Sequence, residues 1–344
     1  VKADAYGHGA VPVARKLEEL GAEYLAVACL AEARELREAG VLTPILLLGY
    51  TPTDCAEELI HYGLTQTVYD LESARAFSAA AQAAGRRLRI HVKADTGMSR
   101  LGWLCDEGHR TEAADAIAAV CALPGLEVEG IYTHFANADG DEAYTMGQFT
   151  RFLELLSELE GRGITFPIRH CAASAAVLKY PCTHLDMVRP GVALYGHYPD
   201  PSCEGLDGVG LRPVMALKTR VASVKAVHQR EAVPAGTPVS YGCTHVLERD
   251  AELAALTVGY ADGLPRLCSD RLEVLIRGQR APIVGRVCMD MCMADATGLG
   301  AAPGDEVELF GEHLPVEDAA ALAGTIQYEL LCAVSPRVPR EYLN

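Results

Sequence analysis

No stretch of this 344-residue chain stays apolar for the ~18–20 residues that a membrane-spanning helix requires. A basic start followed by an apolar stretch, the mark of a secretory signal, is also missing. Basic residues fall short of acidic ones, 30 against 46, and the formal net charge of −16 argues against nucleic acid or anionic membrane as partners. Twelve cysteines are scattered from Cys29 to Cys332, yet no two form a C-x-x-C pair. Cys288 and Cys292 come closest, and no histidine or second pair completes a zinc site there, so no metal is expected. A chain of this length needs no disulfides to hold a core; reduced thiols and a cytoplasmic compartment are expected. Internal repeats and low-complexity tracts are absent as well.

What is present is the composition of a globular protein, 50% hydrophobic and 22% charged, long enough for two domains. Up to residue 210 the pattern alternates helix and strand. Segments at 24–28, 44–48, 65–70, 87–95, 126–135, 166–171 and 186–190 read as strands, the first two of them apolar throughout, separated by helical stretches. Lys2 implies one more strand ahead of them. Val1 therefore falls inside a strand, and residues upstream of it are expected. Eight β/α units in this length predict a closed (β/α)8 TIM-like barrel over 1–210. From 211 to 344 short β-rich segments between turns predict a separate, mainly β domain. A Gly-, Pro- and Asp-rich loop around 197–210 joins the two.

Lys2, Arg100, His134, Ser174 and Arg189 all lie at or just past the carboxyl ends of predicted barrel strands. That rim is where such barrels build active sites. Lys2 opens the string VKADAYGHGA, with Tyr6 four residues on at a glycine-flanked turn. A rim lysine is a candidate covalent anchor for an aldehyde cofactor. The plain alternative for each of these residues is a surface charge, a loop cap or a core contact.

VKADAYGHGA, KADTGMSRLG, THFANAD, SAA, RPGVALYG, VSYG, GYADG, GRVCMDMCM and SPRVPR follow one another from Val1 to Arg340. In this order the strings resemble the alanine racemase family of pyridoxal-phosphate enzymes. The resemblance implies interconversion of L- and D-alanine, supplying D-alanine for cell-wall peptide, in a homodimer whose active sites are shared between subunits. It implies that Lys2 binds pyridoxal 5'-phosphate as a Schiff base and acts as one proton-transfer group. Tyr241, reaching in from the second domain of the other subunit, is implied as the other. Arg189 would face the pyridine nitrogen, and His134 would link it to Tyr241. Tyr6, Ser174 and the backbone N–H groups of Gly191 and Val192 would hold the phosphate. Arg100 would clamp the substrate carboxylate, positioned by a carbamylated Lys93, with Met289 and Cys288 completing the small pocket. Tyr260, Arg266, Arg286 and Asp139 match positions along the access corridor.

Three positions depart from the family pattern: Ala173 stands where asparagine is common, Ser99 where glycine is, and Pro336 where a tyrosine often touches the phosphate. Two further readings stay in view, the first motivated by Pro336 and the expected upstream residues. One is a serine or serine/alanine racemase, even the catalytic part of a longer membrane-linked protein. The other is a non-catalytic pyridoxal-phosphate carrier, although such carriers stop after the barrel.

Overall fold

The computed structural model describes residues 1–206, 208, 210–228 and 237–343, so part of the loop expected to join the domains, at 207 and 209, lies outside the described residues. Two compact units result. The first comprises Val1–Ala5 and Gly9–Leu211, the second Tyr6–His8 and the chain from Arg212 onward.

The first unit is a parallel barrel. Strands β1 (Leu25–Val27), β2 (Ile45–Leu47), β3 (Thr65–Val68), β4 (Leu88–Asp95), β6 (Leu126–Tyr132) and β7 (Ile168–His170) pair in sequence order, and β5 (Trp103–Leu104) pairs with the end of β4. These strands are buried because helices cover their outer side while other strands face them across the barrel, which is why they read as short continuous runs. In β2 no residue alternates out to solvent: Ile45, Leu46 and Leu47 are all buried. The helices between strands turn one apolar stripe inward, as Leu36, Leu59, Phe77, Ile117 and Phe152 do.

Strand β3 breaks the apolar rule, since Thr65, Gln66 and Thr67 are buried in it. Buried polar groups persist only when bonded. Thr67 Oγ1 lies 3.0 Å from the Tyr132 hydroxyl, Thr65 Oγ1 lies 2.6 Å from that of Tyr24, and Gln66 bonds to Thr51 and two carbonyls. The barrel interior is therefore polar on this side.

Two of the eight expected strands are shorter than the sequence predicts. The segment at 186–190 contributes one parallel bridge, Arg189 to Ala173, with Arg189 N donating to Ala172 O at 2.9 Å. Pro190 has no N–H to carry a ladder further. At the other edge Val1 N donates to Ala26 O at 2.9 Å, beside β1, and the chain then leaves the sheet at once. Ala3, Asp4, Ala5 and Tyr6 all take left-handed backbone angles, φ 53–55°. That conformation costs ~1–2 kcal/mol per non-glycine residue.

Side chains and backbone of the first unit offset the cost. Asp4 Oδ1 accepts from Ala10 N at 2.7 Å, and Asp4 O accepts from Gly9 N at 2.9 Å. Glu32 accepts from Ala3 N at 2.6 Å and from Ala28 N at 2.7 Å.

The second unit is mainly β. Its six-stranded antiparallel sheet runs β13 (Gln279–Pro282), β12 (Glu273–Ile276), β15 (Glu306–Phe310), β8 (Leu217–Val227), β11 (Ala251–Leu256) and β14 (Cys292–Asp295). A hairpin-like pair, β9 (Thr237–Val239) and β10 (His245–Leu247), carries the segment between them at 240–244. Helix Gln327–Ala333 and the chain after it fasten Tyr6–His8 into this unit. Arg340 donates twice to Gly7 O, at 3.1 and 3.0 Å, and the Tyr342 hydroxyl donates to His8 O at 3.0 Å. Gly7 is required here: its φ is +79°, and a Cβ would sit 2.0 Å from Leu331 O.

Candidate active site

The carboxyl ends of β4, β6 and β7 bring together a group of cations that, among the described residues, form no ion pair with an acid. Arg189 is the centre. Its Nη1 donates to His170 Nδ1 at 2.6 Å. Its Nη2 donates to Thr133 O at 3.0 Å, His134 Nδ1 at 3.2 Å and Cys171 O at 3.2 Å. Among the described residues no carboxylate pairs with it, so the structural salt bridge that an arginine before proline commonly makes is absent. Guanidinium can only donate and stays protonated. Any further acceptor placed against Arg189 will meet a hydrogen-bond donor, never a proton source of carboxylic type.

Lys93, near the end of β4, is 5% exposed and forms no ion pair among the described residues. Its Nζ lies 4.5 Å from the centre of the Tyr132 ring, whose other neighbours are Arg189, at 5.1 Å, and the stacked imidazole of His170, at 4.7 Å. Burial, then the charges of Arg189 and Arg100, hold the Lys93 ammonium well below the ordinary lysine range. Asp95, the nearest acid, is engaged elsewhere: its Oδ1 accepts from the N–H groups of Gly97, Met98 and Ser99. Those bonds shape the turn that presents Arg100, with Ser99 at φ 57°. Gly102, just beyond, packs so close to β4 that a Cβ would meet Ala94 C at 2.7 Å.

Burial, then Arg189, Lys93, Arg100 and Lys2, hold His134 well below the usual histidine value. Burial and Arg189 do the same to His170, and burial lowers His91 too. Unfolded, each imidazole takes up a proton near pH ~6.5; folded, it stays neutral to lower pH. Their contribution to stability is therefore complete above that value and is lost as pH falls below it. Urea midpoints measured from about pH 7 down to about pH 5 are expected to drop, with up to ~1.4 kcal/mol of unfolding free energy lost per pH unit for each of the three.

Lys2 is exposed and acts on His134 by charge, so both belong to the same rim of the first unit. Ser174 opens helix Ser174–Lys179, and its Oγ accepts from Gly191 N at 2.8 Å and Ala193 N at 3.2 Å. Val192 begins the short helical turn 192–195, where a first N–H has no intrahelical acceptor. Asp139, on the same unit, offers its carbonyl to Lys179 Nζ at 2.8 Å. Hydroxyl and N–H donors at this strand-to-helix turn, with Arg189 beside them, bridged to Ala173 through its backbone, form a donor set suited to a phosphate and to a pyridine nitrogen.

The remaining candidates sit on the second unit. Tyr6 packs beside Tyr328, ring centres 6.0 Å apart. Tyr241 is 75% exposed and Met289 54% exposed, so neither is the core residue that a lone sequence reading would favour. Ser240, next to Tyr241, bonds to Arg286 O at 3.0 Å and approaches Cys288 Sγ at 3.4 Å. Tyr260 N donates to Cys288 O at 3.0 Å, and Arg266 opens a short helical turn further along. Tyr241, Tyr260, Arg286, Cys288 and Met289 are thus neighbours on one unit.

Sequence reasoning missed Tyr132, His170, His91 and Glu129, which build the surroundings of Arg189. The available signal was a histidine in each of two strands, RIHVKAD and PIRHC, at positions where an apolar residue would otherwise be expected.

Comparison with known proteins finds relatives over nearly the whole chain. Residues 1–199 match the family model for the alanine racemase N-terminal domain, and residues 214–342 that for the C-terminal domain. An alanine racemase of Desulforamulus reducens is 50% identical over 347 residues, covering 100% of this chain and 91% of that protein. One from Desulfovibrio desulfuricans is 48% identical, covering 100% and 90%. The solved alanine racemase of Streptomyces lavendulae superimposes with a TM-score of 0.92 at 40% identity, covering 100% of this chain and 89% of that one. Neither a serine racemase nor a non-catalytic carrier is favoured by these matches. With both family domains matched in order and half of all positions shared with a full-length relative, this chain belongs to the alanine racemase family of pyridoxal-phosphate-dependent amino-acid racemases.

Proposed function

We propose that this chain interconverts L- and D-alanine with Lys2 and Tyr241 as its two proton-transfer groups, in a homodimer where each site takes Tyr241 from the partner subunit. Bound pyridoxal phosphate supplies the electron sink that makes the Cα–H of an amino acid acidic. Lys2 would hold it, and its Nζ would take or return a proton on one face of Cα. The Tyr241 hydroxyl would do the same on the other face. The carrying observation is Arg189, half-buried among two neutral imidazoles and two carbonyls, with no carboxylate paired to it among the described residues. A guanidinium beside the ring nitrogen leaves that nitrogen unprotonated and limits charge delocalisation, which suits proton exchange over transamination.

Ser174 and the N–H groups of Gly191 and Val192 would hold the phosphate, with Tyr6. His134, already bonded to Arg189, would pass the influence of that charge to Tyr241. Arg100 would clamp the substrate carboxylate, and Met289 and Cys288 of the partner subunit would close the small side of the pocket. Twelve free thiols fit a reducing, cytoplasmic setting, and no helix among the described residues is long and apolar enough to cross a membrane. Borohydride reduction of the holoenzyme is expected to fix the cofactor on the peptide containing Lys2, with kcat/KM larger for L-alanine than for L-serine. Cofactor on another lysine, or a preference for serine, overturns this reading.

Lys93 is poised for carbamylation. Only a neutral amine attacks CO2: the nitrogen lone pair forms a bond to carbon and one proton leaves, giving an N-carboxylate. A buried amine held well below its usual pKa among cations favours that product, since the new anion meets Arg100 and Arg189. With ¹³C-bicarbonate, a carbamate resonance is expected that is lost in Lys93→Met, along with a raised KM for alanine.

A further inference from the structure

Behind Arg189 a second polar chain crosses the barrel interior, away from the groups assigned to proton transfer and phosphate binding. His170 Nε2 lies 2.8 Å from His91 Nδ1. His91 Nε2 lies 3.5 Å from Glu129 Oε2, and the same carboxylate oxygen accepts from the Tyr24 hydroxyl at 2.6 Å. Tyr24 in turn meets Thr65 Oγ1 at 2.6 Å. The links come from β3, β4, β6 and β7 together with Tyr24 just before β1, and both histidines are completely buried.

The proton positions in this chain follow from its two ends. Arg189 has only hydrogens to offer, so His170 Nδ1 must accept. In a neutral imidazole the other nitrogen then carries the hydrogen, and His170 Nε2–H donates to His91 Nδ1. His91 Nε2–H is left facing Glu129, the one acid in the chain, at 3.5 Å, an ion-pair distance at which it makes no hydrogen bond. Both hydrogen bonds between Arg189 and His91 run in one direction, toward the carboxylate, and while they hold each imidazole carries its hydrogen on Nε2.

The backbone makes room for this arrangement. The pairing of β4 with β6 shifts register between Ile90 and His91, opposite Gly130. A Cβ on Gly130 would come within 2.8 Å of the His91 ring and of Ile168 O. Only glycine leaves space for the imidazole at that height of the barrel. Tyr132 stacks on His170 at 4.7 Å with planes 9° apart, which fixes the ring plane.

We propose that His91 and Glu129 are positioning residues for Arg189, acting through His170: they hold both imidazoles as Nε2–H tautomers, keep His170 Nδ1 an acceptor for Arg189, and so fix the plane of the guanidinium. The catalytic consequence rests on Arg189 facing the cofactor ring, but the relay itself does not. An amide in place of the carboxylate can offer His91 Nε2 a donor as well as an acceptor, which weakens the preference for Nε2–H, and an Nδ1–H tautomer of His91 would present N–H to N–H against His170.

Imidazole ¹⁵N shifts of the holoenzyme, labelled at histidine, test the relay directly. Both His91 and His170 are expected as Nε2–H tautomers in the wild type. In Glu129→Gln, His91 is expected to become a mixture of tautomers, with kcat lowered ~5–30-fold, KM for alanine within about twofold and an unchanged melting temperature. The bound cofactor's visible absorbance is expected to shift in the same variant. His91→Asn, which keeps an acceptor for His170, is expected to retain more kcat than His91→Leu. An Nδ1–H tautomer or an imidazolium at either residue of the wild type overturns the relay, whatever Arg189 contacts. Normal tautomers with unchanged kcat and spectrum in Glu129→Gln overturn the positioning role alone.

Discussion

Lys2→Ala and Tyr241→Phe will each be almost inactive, at least ~10³-fold below wild type, while co-expressing the two will restore about a quarter of wild-type activity. Each mixed dimer pairs one Lys2→Ala chain with one Tyr241→Phe chain. If a site draws its lysine from one protomer and its phenol from the other, one of the two sites in that dimer is intact and one lacks both groups. Random assortment makes half the dimers mixed, hence the quarter. Tyr241 is 75% exposed on its own chain, with Met289 beside it at 54%, an arrangement that wastes apolar surface unless a second copy covers it. Recovery is measured as racemisation rate per mole of dimer, with circular dichroism confirming that both variants fold. A mixture as inactive as its components would place both groups on one chain and remove the shared site.

Arg189→Glu will slow racemisation by at least ~100-fold and will produce pyruvate from alanine, a product that the wild type forms far more slowly. The first effect is the size expected when one preorganised electrostatic partner is lost. The second follows from the sign of the replacement. A carboxylic acid at the ring nitrogen would supply a proton where guanidinium cannot and deepen the electron sink; a proton returned to the cofactor carbon, followed by hydrolysis, would release one pyruvate per site and leave the amino group on the cofactor. His134 and His170, now held neutral by burial and the Arg189 charge, would gain an anionic neighbour and protonate more readily. Some stability will be lost too, because four hydrogen bonds to Arg189 disappear from a buried site. Arg189→Lys separates the effects: it keeps the charge, surrenders the fork and is expected to produce no excess pyruvate. A coupled assay for pyruvate alongside polarimetry of alanine reads both. Unchanged pyruvate output in Arg189→Glu would mean that Arg189 does not set the electronics of the cofactor.

The interior strands were legible where burial on both sides leaves a plain mark, a short apolar run such as Leu25–Val27 or Ile45–Leu47. The edges of the barrel were not. Val1 and Arg189 keep one or two ladder bonds each, and what replaces the rest is a left-handed turn and a proline, which hydrophobic pattern cannot rank against a strand. Arg189 stood out in the sequence through its VRPG context, but its partners did not, since a histidine in an apolar strand carries no sign of what it faces.

The sequence alone determined the order of β/α units, the change of texture near residue 211, and the family, because each rests on local periodicity or on short strings in a fixed order. Tertiary structure decided which groups meet. Only the paired strands set Lys93 beside Tyr132 with no ion-pair partner among the described residues and aim two neutral imidazoles from Arg189 toward Glu129, and only the folded second unit leaves Tyr241 outside its own core. Charge, burial and proton position depend on neighbours tens of residues away in the chain, and those neighbours exist only once the strands have paired.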